Sequence, residues 1–300
     1  MRSVSDAFRP AWDHMVHMLF TPFQLDRWFS LGFCAFLAQL TGGGGGGNWT
    51  RLMQHGGDGR ESEIFREGWQ WVLGHLPLVL TLAGIAALLV IVFTAVMIWL
   101  SARGTFMFMD NVVHQRAEVA EPWRRFRTPA NRLAVFHLVF GFGLLALVAL
   151  IGVGGWLVAR PDIAAGHFGV HALAAVIGGG LLLVVTLVAG AAVNLVVDDF
   201  CVPIMVLREV GVLEALEIFR REALPGHVGS LVAFYLLRMV MGMVGGLALI
   251  VAGCATCCLG FLPYLSSVLA LPMLVFFRAY SLHFLGQLGP QWQLWPEREA

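Results

Sequence analysis

The stretch LPLVLTLAGIAALLVIVFTAVMIWL, residues 76–100, decides the class of this chain: 25 residues pass without one charged side chain. Wound as a helix at about 1.5 Å per residue it reaches about 37 Å, enough to cross about 30 Å of hydrocarbon. Four further stretches have span length: Leu133–Leu157, Val170–Val197, Val228–Ala252 and Gly260–Phe284. A sixth, Trp28–Thr41, has 14 residues and reaches 20 only by continuing through the glycines at 42–47, so it reads as a short span or a re-entrant segment. Trp28, Trp69, Trp71, Trp99 and Trp156 fall at or just outside the ends of these stretches, as an interfacial aromatic belt requires.

The whole composition agrees. Hydrophobic residues make up 58% of the 300, charged residues only 13%, and the mean hydropathy is +0.78, against about 25% charged in soluble domains. The expected fold is therefore all-α, a polytopic transmembrane helical bundle of about six spans forming a single membrane domain over residues 1–300. The N-terminus sets Asp6, Arg9, Asp13 and His14 among its apolar residues, which does not suit a signal peptide.

Every one of the 19 basic residues is Arg, balanced by 19 acidic residues. Zero net charge removes the electrostatic footprint of a nucleic-acid binder, and the absence of Lys removes a P-loop and a Schiff-base nucleophile. With six spans, 13 arginines fall on one side and 4 on the other, with Arg238 and Arg278 inside spans. The positive-inside rule then places both termini of this multi-pass chain on the cytoplasmic side.

Three connecting segments read as amphipathic helices: Val4, Phe8, Ala11, Met15 and Leu19; then Phe106, Met109, Val113, Ala117 and Ala120; then Val206, Val210, Leu213, Leu216 and Phe219. The second and third define cytoplasmic amphipathic segments at 104–132 and 198–227. Each meets a proline before the next span, at Pro22, Pro129 and Pro225, where a helix must break to turn into the membrane. Surface helix plus helical hairpin thus recurs three times. A true threefold repeat competes with the plainer reading that multispan proteins commonly carry amphipathic linkers. The glycines at 42–47 open a flexible external loop over 42–75 and have no following Lys for a phosphate-cradling loop. Gly178–Gly180, Gly190, Gly242 and Gly246 read as helix-packing residues.

The residues that could bind a ligand are the costly ones. An Arg at the bilayer centre costs at least about 3 kcal/mol on insertion scales. Topology brings Arg238 and Arg278 into the same cytoplasmic half as Asp198, Asp199, Asn194 and His137. A network of these could bind an anionic headgroup or small anion, or the arginines could snorkel to headgroups while the aspartates cap a helix. Cys254, Cys257 and Cys258 stand at the external turn between spans five and six, as a disulfide or as inert small apolar residues. His167 with His171, and His14 with His17, have a spacing that can share a metal but lack the carboxylate of a metal motif, so neither a metal site nor a cofactor is expected. Ser230, Ser266, Ser267 and Ser281 have no base in local sequence, so the chain is not expected to be an enzyme.

The pieces Ser101-Ala-Arg-Gly-Thr-Phe-Met-Phe-Met-Asp-Asn-Val-Val113, Glu121-Pro-Trp123, Asp198-Asp-Phe-Cys-Val-Pro-Ile-Met205, Leu262-Pro-Tyr264 and Phe277-Arg-Ala-Tyr-Ser281 resemble an uncharacterised bacterial family of six-span proteins. More distantly, the chain is similar to the membrane domain attached to some glycerophosphodiester phosphodiesterases. The resemblance implies a membrane-domain architecture and carries over no activity, since nothing matches the metal site and paired histidines of the phosphodiesterase module. The functional expectation is a non-enzymatic membrane protein binding or transporting a lipid headgroup or small anionic solute. The alternative is a scaffold or regulatory subunit. Membrane lipids are the expected partners, with a protein partner or homo-oligomer left open.

Overall fold

The computed structural model describes residues 4–40, 74–167, 169–255 and 262–295. The expected loop at 42–75, apart from Gly74 and His75, and both Cys257 and Cys258 lie outside the described residues. Within them the chain is all helical: α1 (Phe8–Phe20), α2 (Leu25–Gln39), α3 (Leu76–His114), α4 (Ala120–Arg125), α5 (Arg127–Ala164) and α6 (Val170–Val196). A π-helical turn, Val197–Cys201, joins α6 to α7 (Val202–Arg208), and a second, Phe219–Ala223, follows α8 (Val212–Ile218). The remainder is α9 (Val228–Ala255), α10 (Pro263–Leu269) and α11 (Leu271–Gln287).

Among the described residues four helices are long and apolar enough to cross a membrane: Leu76–His114, Arg127–Ala164, Val170–Arg208 and Val228–Ala255. These mark the chain as a membrane protein. The expected first span is α2, whose 15 residues reach only about 23 Å. The expected sixth span is two helices, of 7 and 17 residues. They divide at Ala270, just ahead of Pro272, which lacks the N–H needed to carry a helix through.

The long helices are bare along most of their length and buried at one end. Leu80, Val90, Phe93, Val139, Leu150, Leu181, Val188, Met243 and Leu247 are all more than half exposed, the distribution expected of side chains whose solvent is lipid. The packed core instead gathers the end of α3, the starts of α5 and α9, the π turn with α7, and α11, with Phe106, Phe200, Phe234, Tyr280 and Trp292 fully enclosed. Phe234 stacks on Tyr280 at 4.8 Å and on Phe284 at 4.6 Å between ring centroids, near the favoured range for offset aromatic pairs.

The three amphipathic segments fare differently. In α1 the residues Ala11, Met15 and Leu19 are buried, and the helix packs on α11, with Phe8 and Phe276 at 5.3 Å. The second is no separate surface helix. α3 runs on into it as far as His114, residues 101–113 are buried on every side, Asp110 and Asn111 included, and Ala117 lies beyond the helix end. The third is interrupted at Glu209, which takes a left-handed conformation (φ 56°). The break shifts the register, so Val212, Ala215 and Phe219 are buried while Leu213 is 71% exposed.

The buried polar groups of α3 are all engaged in holding neighbours. Ser101 Oγ donates to the Ala38 carbonyl at 3.0 Å, and Thr105 Oγ1 donates to the Ser101 carbonyl at 3.0 Å. The Arg103 guanidinium sits between the Trp99 and Trp123 rings, at 4.4 and 4.7 Å from their centroids. Asn111 grips Glu118 twice, donating to its carbonyl at 2.8 Å and accepting its N–H at 3.0 Å. Asp110 accepts from Arg116 Nη2 at 2.7 Å, and this bond holds the Arg116 guanidinium above its ordinary range.

Gly104 lets α2 and α3 touch backbone to backbone: a Cβ there would overlap Ala38 N, Leu37 C and Leu37 Cβ. Gly190 lies against Leu144, whereas Gly178, Gly179, Gly180 and Gly246 have open space where a Cβ would stand. Overpacking of this kind costs about 1–3 kcal/mol. Gly104→Ala is therefore expected to lower the midpoint of thermal unfolding in detergent, while Gly141→Ala, with nothing within 4 Å of its Cβ position, leaves it in place. Equal midpoints would contradict the close approach of α2 to α3.

Candidate binding cavity

A local fault in a helix builds the site. Pro203 cannot donate a backbone N–H, and its ring crowds the carbonyl four residues earlier, that of Asp199. The helix responds by widening to a π turn over Val197–Cys201, in which the Val202 N–H reaches back to the Val197 carbonyl. That bond skips the Asp198 carbonyl, the partner Val202 would have in an α-helix. Arg278 from α11 takes it up: Nη1 donates to the Asp198 carbonyl oxygen at 2.7 Å. The same cause recurs at Phe219–Ala223, where the Leu224 N–H bonds to the Phe219 carbonyl just ahead of Pro225.

The aspartate side chains divide. The Asp199 carboxylate accepts a hydrogen bond from Arg238 Nη1 of α9, with 6% of the aspartate and 25% of the arginine side chain exposed. Arg238 also lies over the Phe277 ring, 5.5 Å from its centroid. The Asp198 carboxylate is 39% exposed, and His137 Nε2 approaches its Oδ1 at 3.8 Å, too far for a hydrogen bond.

These groups line a cavity of about 160 Å³. Asp198, Asp199, Arg238 and Arg278 share it with Gln39, Thr105, Phe108, Leu274 and Phe277. Five of the six residues expected from the sequence thus meet around the π turn, with His137 reaching Asp198 from outside the lining. Asn194 is not among the lining residues, and its carbonyl accepts the Val197 N–H. Gln39 was not expected. It ends α2, and its side-chain Nε2 is buried without a hydrogen-bond partner among the described residues. A lone polar residue at the end of an apolar run gives no sequence signal, because only the packing of α2 on α3 carries it to the π turn.

A wider cavity, about 570 Å³, opens between α1, the end of α3 and α11 and includes Asp13, His14, His17, His114 and His283. One of its hydrogen bonds joins two of its own lining groups, and His283 Nε2 is buried with no hydrogen-bond partner among the described residues. His14 Nε2 donates to the Val112 carbonyl at 2.8 Å, Gln115 Nε2 donates to His14 Nδ1 at 3.1 Å, and His283 stacks on Trp295 at 5.0 Å. Among the described residues no group of three or more His, Cys, Asp or Glu side chains is arranged to hold a metal ion. His171 meets Asp162 at 3.2 Å. Asp162 also accepts the Ala172 N–H at 2.8 Å, tying the end of α5 to the start of α6. Cys254 is exposed at the end of α9.

With four apolar helices of spanning length among the described residues, three of which carry residues of the charged cavity, the fold and site define a helical membrane protein. The chain belongs to a family of unknown function, DUF7544, which matches residues 3–265. That match takes in Gln39, Asp198, Asp199 and Arg238 and stops short of Arg278. No curated protein and no solved structure matches the chain.

Removing one member of a buried ion pair costs about 3–5 kcal/mol, whereas replacing both by apolar residues is often neutral. Arg238→Leu alone and Asp199→Leu alone are each expected to lower stability by about that amount in denaturant titration. The double variant is expected to recover most of the loss. A loss in the double variant equal to the sum of the singles would show that the two side chains do not act as a pair.

Proposed function

We propose that this is a non-enzymatic integral protein of a bacterial inner membrane that holds a lipid headgroup or a small anionic solute in the cavity at the π turn, in transport or in membrane-lipid handling. Arg238 and Arg278 supply the positive charge, and Asp198 and Asp199 fix their geometry and lower the cost of burying them. One observation carries this reading: Gln39 of α2, Arg238 of α9 and Arg278 of α11 line one space of about 160 Å³, and Gln39 Nε2 is buried with no acceptor among the described residues. Burying an amide without a partner costs about 1–3 kcal/mol, a cost that a ligand acceptor would offset.

In this reading both termini are cytoplasmic, supported by the 13 arginines that a six-span topology puts on one side against 4 on the other. The helices α2 and α10 with α11 act as the two shorter membrane elements beside the four long spans. A second reading, a scaffold or regulatory subunit that docks a protein partner or an anionic lipid, draws support from another place. Arg125 and Arg132 line a cavity of about 320 Å³ with Thr128 and Glu209, and Arg125 is 56% exposed.

Gln39→Leu separates the cavity from its supports, because the Gln39 amide nitrogen donates to no group among the described residues. Native mass spectrometry of the protein released from nanodiscs of host lipids is expected to show a defined adduct on the wild type. The variant is expected to lose about tenfold in adduct occupancy, with its unfolding midpoint unchanged or raised. Full retention of the adduct by the variant, or no adduct on the wild type, would remove the cavity from consideration as the binding site.

A further inference from the structure

The charges around the cavity point to a narrower ligand class than an anion, given that the proposed site is correct. The two arginines and two aspartates lining it sum to zero. A simple anion would leave the filled site with net negative charge amid apolar walls such as Phe108, Leu274 and Phe277, where uncompensated charge is costly. A ligand carrying both signs leaves it neutral when its anion is a phosphodiester or a carboxylate, and one unit less negative than the amine-free anion does when it is a phosphomonoester.

The two signs also have separate places to go. Asp199 is committed to Arg238, and one Arg278 N–H is committed to the Asp198 carbonyl. What is left over is a set of donors, the other guanidinium N–H groups and Gln39 Nε2, and one carboxyl acceptor. That acceptor is the Asp198 carboxylate, partly exposed and with His137 Nε2 at 3.8 Å as the one cationic-type nitrogen within 4 Å among the described residues. Free donors, with a carboxylate that has no hydrogen-bond partner among the described residues, line one space and form a site for an oxyanion joined to an ammonium group.

Size limits the ligand further. The cavity's 160 Å³ is about five waters' worth of liquid volume. That accommodates a small headgroup or a small zwitterionic solute, and falls below the about 300–1,000 Å³ of sites that enclose drug-sized ligands.

We infer that the cavity recognises a zwitterion, a phosphate or carboxylate held by Arg278, Arg238 and Gln39 with a primary ammonium held by Asp198. The group is either the headgroup of an amine-bearing phospholipid or a free solute of the same chemistry.

The full-length protein in detergent, titrated with phosphatidylethanolamine, N-acylated phosphatidylethanolamine, phosphatidylglycerol, phosphoethanolamine and inorganic phosphate, tests this by native mass spectrometry. The expected result is about tenfold higher occupancy by a probe with a free amine than by its amine-free counterpart, with Asp198→Asn abolishing that preference. Phosphatidylethanolamine favoured over its N-acylated form identifies a lipid source, and phosphoethanolamine favoured over phosphate identifies a solute. Selectivity in the wild type decides the matter even if Asp198→Asn does not fold. Phosphatidylglycerol or phosphate bound as well as the amine-bearing probes, and lost in Gln39→Leu, would overturn the zwitterion while leaving an anion site. No probe bound by the wild type would overturn both.

Discussion

A guanidinium inside a membrane protein needs a counter-charge, and the pairing of Arg238 with Asp199 is the constraint around which the rest of this structure is arranged. Asp199 can meet α9 because the helix carrying it widens at Val197–Cys201. The widening follows from Pro203 four residues on, and it also releases the Asp198 carbonyl that Arg278 occupies. One imino acid in the run Asp198-Asp-Phe-Cys-Val-Pro203 thus ties α9 and α11 to the end of α6. The aromatic cluster of Phe200, Phe234, Tyr280 and Phe284 packs beside these links, so the apolar and ionic contacts secure the same crossing of helices.

The division of the molecule follows from that crossing. Where the charges meet, side chains are enclosed; away from them the long helices present leucine and valine outward. In a membrane this is economical, because lipid tails solvate leucine as well as a protein core does and only polar groups need protein around them. The buried end of α3 obeys the same rule, since Arg103, Asp110 and Asn111 each have partners on neighbouring segments.

Much of this was legible in the sequence, for physical reasons that also mark its limits. The spans at Leu76–Leu100 and Val170–Val197 announce themselves because the length of an apolar helix is set by membrane thickness. The aspartates and arginines stand out because charge is rare and costly there. Helical periodicity misled at Phe106–Ala120, where an apparent polar face of Asp110 and His114 suggested a surface. Asp110 is instead enclosed and bonded to Arg116, and period alone cannot tell a polar group facing water from one facing a partner. At Val206–Phe219 the left-handed Glu209 reset the register, a choice that nothing in the local pattern announces. Gln39 was invisible for a different reason, since its meaning comes from α2 lying against α3 at Gly104.

The central claim is that the paired charges leave a cavity whose remaining donors serve a ligand. The most direct test is an electron cryomicroscopy map of the protein purified in native lipid, at a resolution that shows side chains. The account expects non-protein density in contact with Gln39, Arg278 and Asp198, shaped as a compact headgroup or small solute. A collapsed cavity, with Gln39 bonded to a protein carbonyl and no density between the arginines and Asp198, would contradict it.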